Sequence, residues 1–227
     1  MKTLLVIAFL ILFPMSARAD GWTFGFDGGL AVPTQNYFPT NPGDAGTHSI
    51  PYFQALEASE GWMISTYVTH SVIKPWINLG ILGSYDTTGA SANSLFAPSA
   101  LCHCPLSGGV KTNLGTLEAW SLMPYLRVNP WTFGSWTPFF GFGLGWSWNQ
   151  WNTKGWPPYS ASISNAFVTR IELGTDYRIS DHFSLESLIG FVESDPLASV
   201  NLPGDQGGMD QEFQMSLFFF EIGVSFN

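Results

Sequence analysis

The sequence has few charged side chains for its length. Asp, Glu, Lys and Arg make up 11% of the 227 residues, against about 25% in a typical soluble domain. Acidic residues outnumber basic ones by 17 to eight, which gives a formal net charge of −9. This balance argues against nucleic acid or an anionic membrane surface as a partner. The chain also has too few Lys and Glu residues to cover itself as a soluble protein of this size does.

Cysteine is scarce as well, and the two cysteines, Cys102 and Cys104, flank His103. Thiolate and imidazole groups are ligands for zinc or copper, but three adjacent residues cannot easily complete a tetrahedral site. Two cysteines in an exported chain usually form a disulfide, although a bond between residues i and i+2 closes a small, strained ring. The alternatives are therefore a loop disulfide between Cys102 and Cys104, free or intermolecular thiols, and a metal site.

Long apolar runs are missing beyond the N-terminus. There, an apolar run over residues 4–13 follows a lysine and precedes Ala17-Arg18-Ala19, a small-x-small cleavage pattern. This pattern predicts a secretory signal peptide over residues 1–19; a retained anchor helix is the alternative, but the run is short for a bilayer. Residues 20–227 then form one domain with a net charge of about −11. Since no apolar stretch of about 20 residues follows, no transmembrane helix is expected there.

Aromatic residues, in contrast, are plentiful: the chain contains 19 Phe, 10 Trp and 7 Tyr. Many lie in segments where large apolar residues alternate with small or polar ones, which is the pattern of a β-strand with two different faces. An exported chain with this composition and no membrane helix can still span a membrane as a β-barrel. The predicted strands lie at residues 22–33, near 61–70, and at 76–86, 117–128, 137–151, 166–179, 182–193 and 212–226.

The fifth segment, TPFFGFGLGWSWNQW at 137–151, indicates which face points inward. Its even-numbered residues from Phe140 to Trp148 are large, and most of its odd-numbered residues from Phe139 to Asn149 are small. A soluble barrel would place the large face inside, and a buried sandwich strand is a further alternative. We favour large residues facing lipid, because the small face suits the narrow interior of eight strands. Interfacial belts are expected from aromatic residues near the strand ends, namely Trp22, Trp62, Trp76, Trp136, Trp148, Trp151 and Tyr177.

The connections between the strands alternate between long and short. About 28 residues separate the first two strands and about five separate the next two, while the connection after the sixth strand is a two-residue turn. Short turns on one side and long loops on the other are typical of outer-membrane barrels. The sequence therefore predicts an all-β fold: an eight-stranded antiparallel up-and-down transmembrane β-barrel.

Several segments resemble the small outer-membrane β-barrel proteins of the OmpA, OmpX and OmpW kind. They are MPYLRVNP, TPFFGFGLGW, ELGTDYRISDHFSLE and the aromatic C-terminal FFFEIGVSF. The resemblance implies location in the cell outer membrane, contact with outer-membrane lipids, and insertion by the barrel assembly machinery. That machinery is thought to read a terminal Phe in such proteins, whereas this chain ends in Phe226-Asn227.

Few segments suggest catalysis. His182-Phe183-Ser184 faintly resembles the His-x-Ser of outer-membrane lipid A deacylases, in which a base activates a serine hydroxyl. The deacylase pattern continues with Asn, whereas Leu185 stands here. We therefore expect no catalytic residues, no cofactor and no metal, and interpret this segment, like Thr69-His70-Ser71, as structural.

Charged residues on the small-residue face are more informative. Strand parity predicts a lumen charge network in which Arg127 and Arg178 pair with Glu186, Glu221 or Asp27 and close the lower lumen; a selectivity site is the alternative. The predicted members of the network are Asp27, Arg127, Arg170, Glu172, Asp176, Arg178, Glu186 and Glu221.

These patterns specify a fold better than a function. The first hypothesis is a structural or surface-interaction role, in which the long outer loops bind an extracellular ligand. The alternatives are a narrow channel or lateral path for small or hydrophobic compounds and, less favoured, a lipid A-modifying acyl hydrolase. Nucleic acid is not an expected partner.

Overall fold

A computed structural model describes residues 21–34, 56–73, 75–94, 110–152, 160–201, 208–212 and 214–226. The predicted signal peptide and the Cys102/Cys104 pair lie outside these residues. Within them the strands are β1 (Trp22–Pro33), β2 (Leu56–Ile73), β3 (Ile77–Ser94), β4 (Val110–Val128), β5 (Trp136–Asn152), β6 (Ser160–Ile163), β7 (Ala166–Ser180), β8 (Phe183–Ser194), β9 (Leu197–Asn201), β10 (Gly208–Glu212) and β11 (Met215–Phe226).

Eight of these strands close into a barrel. They run in the order β1, β2, β3, β4, β5, β7, β8 and β11, and β11 pairs with β1 to complete the circle. Every neighbouring pair is antiparallel. The prediction of an all-β, eight-stranded antiparallel barrel is confirmed, and each predicted strand overlaps one barrel strand.

Three short connections, at residues 74–76, 129–135 and 181–182, lie at one end of the barrel, called here the turn end. The tightest part of the second is held by paired backbone hydrogen bonds between Phe133 and Trp136, at 2.8 and 3.0 Å. Gly134 adopts a φ of 60° there, a conformation that glycine enters without the steric cost of a Cβ atom. The longer connections lie at the opposite end, called the loop end.

The two faces of the barrel wall differ in the way that the alternation predicts. Large apolar side chains such as Phe140 and Trp146 are exposed on the outside, while the inward face combines glycine, serine and threonine with some large side chains such as Tyr67 and Phe139. A Cβ atom on Gly25 would lie 2.1 Å from the Tyr67 ring, and one on Gly174 would lie 2.3 Å from the Phe139 ring. The small inward residues are therefore required because a large side chain from the next strand fills the space beside them.

The aromatic side chains expected in the belts mostly point outward. Those exposed on the barrel exterior are Trp22, Trp62, Trp76, Trp136, Trp148 and Tyr177. Trp151 is a correction, because it is only 9% exposed. It has the same odd-numbered parity in β5 as Ser147, which is also buried, so β5 directs it into the barrel.

No helix in the described part of the chain is long and apolar enough to cross a membrane.

Two features at the loop end were not predicted. Strands β2, β3 and β4 have 18 or 19 residues and continue past the segments that show clear alternation. In addition, β9 pairs with both β6 and β10 to form a separate three-stranded antiparallel sheet. Both features extend ordered β-structure beyond the aromatic part of the wall.

Candidate functional site

The charged side chains of the lumen come together because of strand register. Arg127 lies opposite Gly141, which in turn lies opposite Glu172 on the next strand. Asp176 lies opposite Glu186 across β7 and β8. A Cβ atom on Gly141 would lie 2.5 Å from the Glu172 side chain, so this glycine leaves the space that the carboxylate occupies.

Arg170 is the centre of the first cluster, called the Arg170 cluster, and its side chain is fully buried. Its Nε donates to Glu172 Oε2 at 2.5 Å, and its Nη2 donates to Glu221 Oε2, also at 2.5 Å. Nη1 donates to Ser65 Oγ at 2.7 Å, and that hydroxyl donates to Glu221 Oε1 at 2.8 Å. Tyr125 donates its hydroxyl to Glu172 Oε1. One guanidinium group therefore joins β2, β7 and β11 across the lumen.

Arg127 is the centre of the second, called the Arg127 cluster. It is the penultimate residue of β4 and so lies near the turn end. Its Nη2 donates to Asp176 Oδ2 at 2.6 Å, and its Nη1 donates to Glu186 Oε1 at 3.0 Å. The Tyr67 hydroxyl accepts a hydrogen bond from Nη1 at 2.6 Å and donates one to Glu186 Oε2 at 2.6 Å. The guanidinium also lies 3.6 Å above the Phe139 ring centroid, an arrangement in which the ring's negative face attracts the cation.

Apolar side chains fill the space around the two clusters. The Tyr67 and Tyr125 rings, one from each cluster, lie 5.8 Å apart, and the Arg170 guanidinium lies 4.2 Å from the Phe219 ring centroid. Met63, Met123 and the buried leucines of β3, β8 and β11 complete the packing. The lumen of the described barrel is thus a packed core crossed by two arginines.

Two predicted network residues depart from the expected pairing. Arg178 is exposed, and no ion pair among the described residues includes it. Its parity is inward, since it lies opposite buried Ser184, but it stands two residues from the end of β7. A long side chain there extends past the rim into solvent. Arg170, on the same face of β7 and deeper in the barrel, is the arginine that pairs with Glu221, while Asp176 is a further carboxylate partner of Arg127. Asp27 is buried, yet its Oδ1 has no hydrogen-bond partner in the described part of the chain.

The sequence patterns did not identify four of the interior polar residues, namely Tyr67, Tyr125, Ser65 and Asp86. Tyr67 and Ser65 share an inward face with Met63 on β2, where no parity was assigned. Tyr125 was overlooked although it lies two residues before Arg127 on β4. Asp86 is also buried and inward on β3. Extending the alternation of β2 and β3 along their full lengths would have found these residues.

The hydrolase candidate is not assembled in the described structure. His182 is exposed in the turn between β7 and β8, whereas Ser184 is buried inside the barrel. The His70 ring lies 4.9 Å from that of Trp22, and its Nδ1 is buried without a hydrogen-bond partner in the described part of the chain. Among the described residues no group of three or more His, Cys, Asp or Glu side chains is arranged to hold a metal ion.

Comparisons with known proteins identify the fold. No protein-family model matches the sequence, and no curated protein matches it. Among solved structures, the outer membrane protein OprG from Pseudomonas aeruginosa is similar, with a TM-score of 0.60 and 13% identity over 91% of this chain and 95% of that one. Neisserial surface protein A is also similar, with a TM-score of 0.52 and 12% identity over 91% of this chain and 97% of that one. At these identities the likeness concerns the fold alone.

Proposed function

We propose that this chain is an integral barrel of the outer membrane of a Gram-negative cell that acts at the cell surface rather than through its lumen. The outward face supports a membrane location, since large apolar side chains such as Leu30, Ile81, Phe167 and Ile222 are exposed around the wall. An exposed apolar band with aromatic residues towards both ends is what a lipid-embedded barrel presents. Short turns would then face the periplasm, and the loop end would face outside.

The closed lumen is the observation that carries the proposal. An eight-stranded barrel has an interior just wide enough for its own side chains. Here Arg127 and Arg170 cross it: Arg127 is held by carboxylates of β7 and β8, and Arg170 by Glu172 of its own strand and Glu221 of β11. A solute passing from end to end would have to displace both clusters and the apolar side chains around them. A through-channel is therefore disfavoured.

The loop-end extensions supply a surface for recognition. A transmembrane strand needs about 9–11 residues to cross the hydrocarbon region, whereas β2 to β5 have 17 to 19. Polar residues lie towards the loop end of these strands, including Glu60, Thr87, Glu118 and Gln150. The Asn152 amide donates to Glu118 Oε1 at 2.5 Å and ties β5 to β4 there. This projecting wall would present the outer loops to an extracellular ligand.

Cysteine labelling on intact cells tests the orientation. In a background with both native cysteines replaced by serine, Gln150→Cys at the loop end and Thr132→Cys at the turn end are exposed positions. A membrane-impermeant maleimide should label Gln150→Cys in intact cells and Thr132→Cys only after the outer membrane is permeabilised. The reverse pattern would invert the orientation, and recovery of the protein in the soluble periplasmic fraction would overturn the membrane location.

Planar-bilayer recording of the refolded full chain tests the closed lumen. We expect no steady ionic conductance. A wide, steady pore in the wild-type protein would overturn the surface role and favour the channel.

A second candidate function, a lateral path for an apolar compound through the barrel wall, is favoured by one observation. The β4–β5 ladder is interrupted between the pairs Leu122–Trp146 and Tyr125–Gly143. Pro124 lies in this gap, and proline has no N–H group to donate to a neighbouring strand. Replacing Pro124 with valine should leave the uptake of an apolar dye into proteoliposomes unchanged if the gap is only structural, and should reduce it if the gap is a path.

A further inference from the structure

The described part of the barrel contains a small cavity that no residue of the two arginine clusters lines. A cavity of about 10 Å³ lies towards the loop end, between Ser194 at the end of β8 and Met215 at the start of β11. It is large enough for one species the size of a water molecule. Its polar lining consists of Asp86, Ser121 and Ser147 together with Ser194, and apolar side chains including Leu217 cover the other side.

Asp86 is the unusual member of this lining. The residue is 2% exposed, and its Oδ1 has no hydrogen-bond partner in the described part of the chain. Its neighbours in register are Met63 on β2 and Ala119 on β4, neither of which can donate a hydrogen bond from its side chain. A buried, charged carboxylate oxygen without a partner is strongly unfavourable, so Asp86 must take up a proton or meet a hydrogen-bond donor or a positive charge in the cavity.

The charges of the described interior point to a cation. Six carboxylates face into the barrel, but only two guanidinium groups accompany them. Each arginine already binds two carboxylates: Asp176 and Glu186 in one cluster, and Glu172 and Glu221 in the other. Asp86 therefore belongs to an interior with more carboxyl groups than guanidinium groups, and no ion pair among the described residues includes it. In a low-dielectric setting such an excess attracts a small positive ion.

We propose that this cavity binds a single small monovalent cation, ligated by the Asp86 carboxylate and by the hydroxyl oxygens of Ser121, Ser147 and Ser194. The Ser147 hydroxyl donates its hydrogen to Asn149 Oδ1 at 2.7 Å, which leaves its oxygen lone pairs available to a cation. Hard oxygen ligands suit alkali-metal ions rather than soft metals. A calcium ion takes about 6–8 oxygen ligands, more than one carboxylate and three hydroxyls provide in a space of this size.

Ion-specific stabilisation tests the site, and sodium is the probe. The refolded full chain is heated in lipid with sodium, potassium or N-methyl-D-glucamine chloride at equal ionic strength, and unfolding is followed by the gel shift of the unfolded form. The midpoint should be highest in sodium and lowest in N-methyl-D-glucamine, which is too large to enter. Asp86→Asn, which keeps the size of the side chain, should abolish the difference, and Ser147→Ala should lower the apparent sodium affinity at least tenfold.

Asp27→Asn is the matched control, because Asp27 is also a buried carboxylate with an unpartnered oxygen but does not line the cavity. It should keep the sodium dependence of the wild type. Equal midpoints in all three salts would overturn the proposal, as would a sodium effect that persists in Asp86→Asn. If Asp86→Asn does not fold, crystals of the wild type grown with thallium(I) decide: an anomalous peak beside Asp86 supports the site, and its absence at saturating thallium(I) overturns it.

Discussion

The two arginine clusters use the same chemistry under different conditions of burial. In the Arg170 cluster the side chains of Arg170 and Glu221 are 0% exposed and that of Glu172 is 2% exposed. In the Arg127 cluster the side chain of Asp176 is 17% exposed, because the cluster lies at the turn end. A carboxylate that water can reach keeps part of its hydration if its partner is lost, whereas a fully buried one does not. The comparison predicts that depth in the barrel, rather than the number of ion pairs, decides how much each arginine contributes to stability.

The largest effect is expected for Arg170→Met, which keeps much of the side-chain length but leaves two buried carboxylates unpaired. Breaking a buried pair costs on the order of 3–5 kcal/mol. The measurement is the free energy of unfolding from urea titrations in lipid vesicles, followed by tryptophan fluorescence. Arg178→Met is the control, since Arg178 is exposed. Equal stability of Arg170→Met and wild type would show that the buried pairs contribute nothing.

Phe142→Arg places an unpaired charge on the outward face of the barrel wall, whereas Arg170→Met leaves unpaired charges on the inward face. Phe142 faces outward between Leu126 and Ile171, so the substitution places a guanidinium group in lipid without a carboxylate partner. A loss of about 2–4 kcal/mol is expected for an arginine near the midplane, again measured by urea titration. Phe142→Leu should cost much less. If Phe142→Arg is as stable as the wild type in lipid, the assignment of the inward and outward faces is inverted.

Arg127→Met should cost less than Arg170→Met, at about 2–3 kcal/mol, because Asp176 can recover hydration from the turn end. The same titration ranks the two variants directly. A larger loss for Arg127→Met than for Arg170→Met would refute depth as the deciding factor.

The smallest effects are expected for the two tyrosines. Tyr67→Phe removes one hydrogen bond donated to Glu186 and one accepted from Arg127, whereas Tyr125→Phe removes a single bond donated to Glu172. The first should cost roughly 2 kcal/mol and the second roughly 1 kcal/mol. A larger loss of stability for Tyr125→Phe than for Tyr67→Phe would be the opposite result. It would show that the depth of the Arg170 cluster, rather than the number of hydrogen bonds removed, decides the cost.

The sequence predicted the barrel because alternation is a repeated local signal, and it placed most lumen charges on the correct face. It did not predict how deep each inward side chain lies between the rim and the interior of the barrel. Arg178 and Asp176 have the same parity on β7, yet Arg178 is exposed at the turn end whereas Asp176 reaches into the lumen and pairs with Arg127, since a difference of two residues decides between rim and interior. Parity also could not reveal Tyr67 as a partner of Glu186, because 119 residues separate them and only barrel closure brings them together.

The inward glycines have a consequence for how the strands find their register. Alternation alone tolerates a slip of two residues, because such a slip leaves every side chain on its proper face. A slip of two between β1 and β2 would move Tyr67 from Gly25 to Thr23 or Asp27, where a Cβ atom occupies the space of the ring. At the closing seam, Gly223 accommodates Asp27 in the same way. Each of these two glycines thus fits one specific neighbouring side chain, which opposes a slip of two residues where the first strand meets β2 and β11.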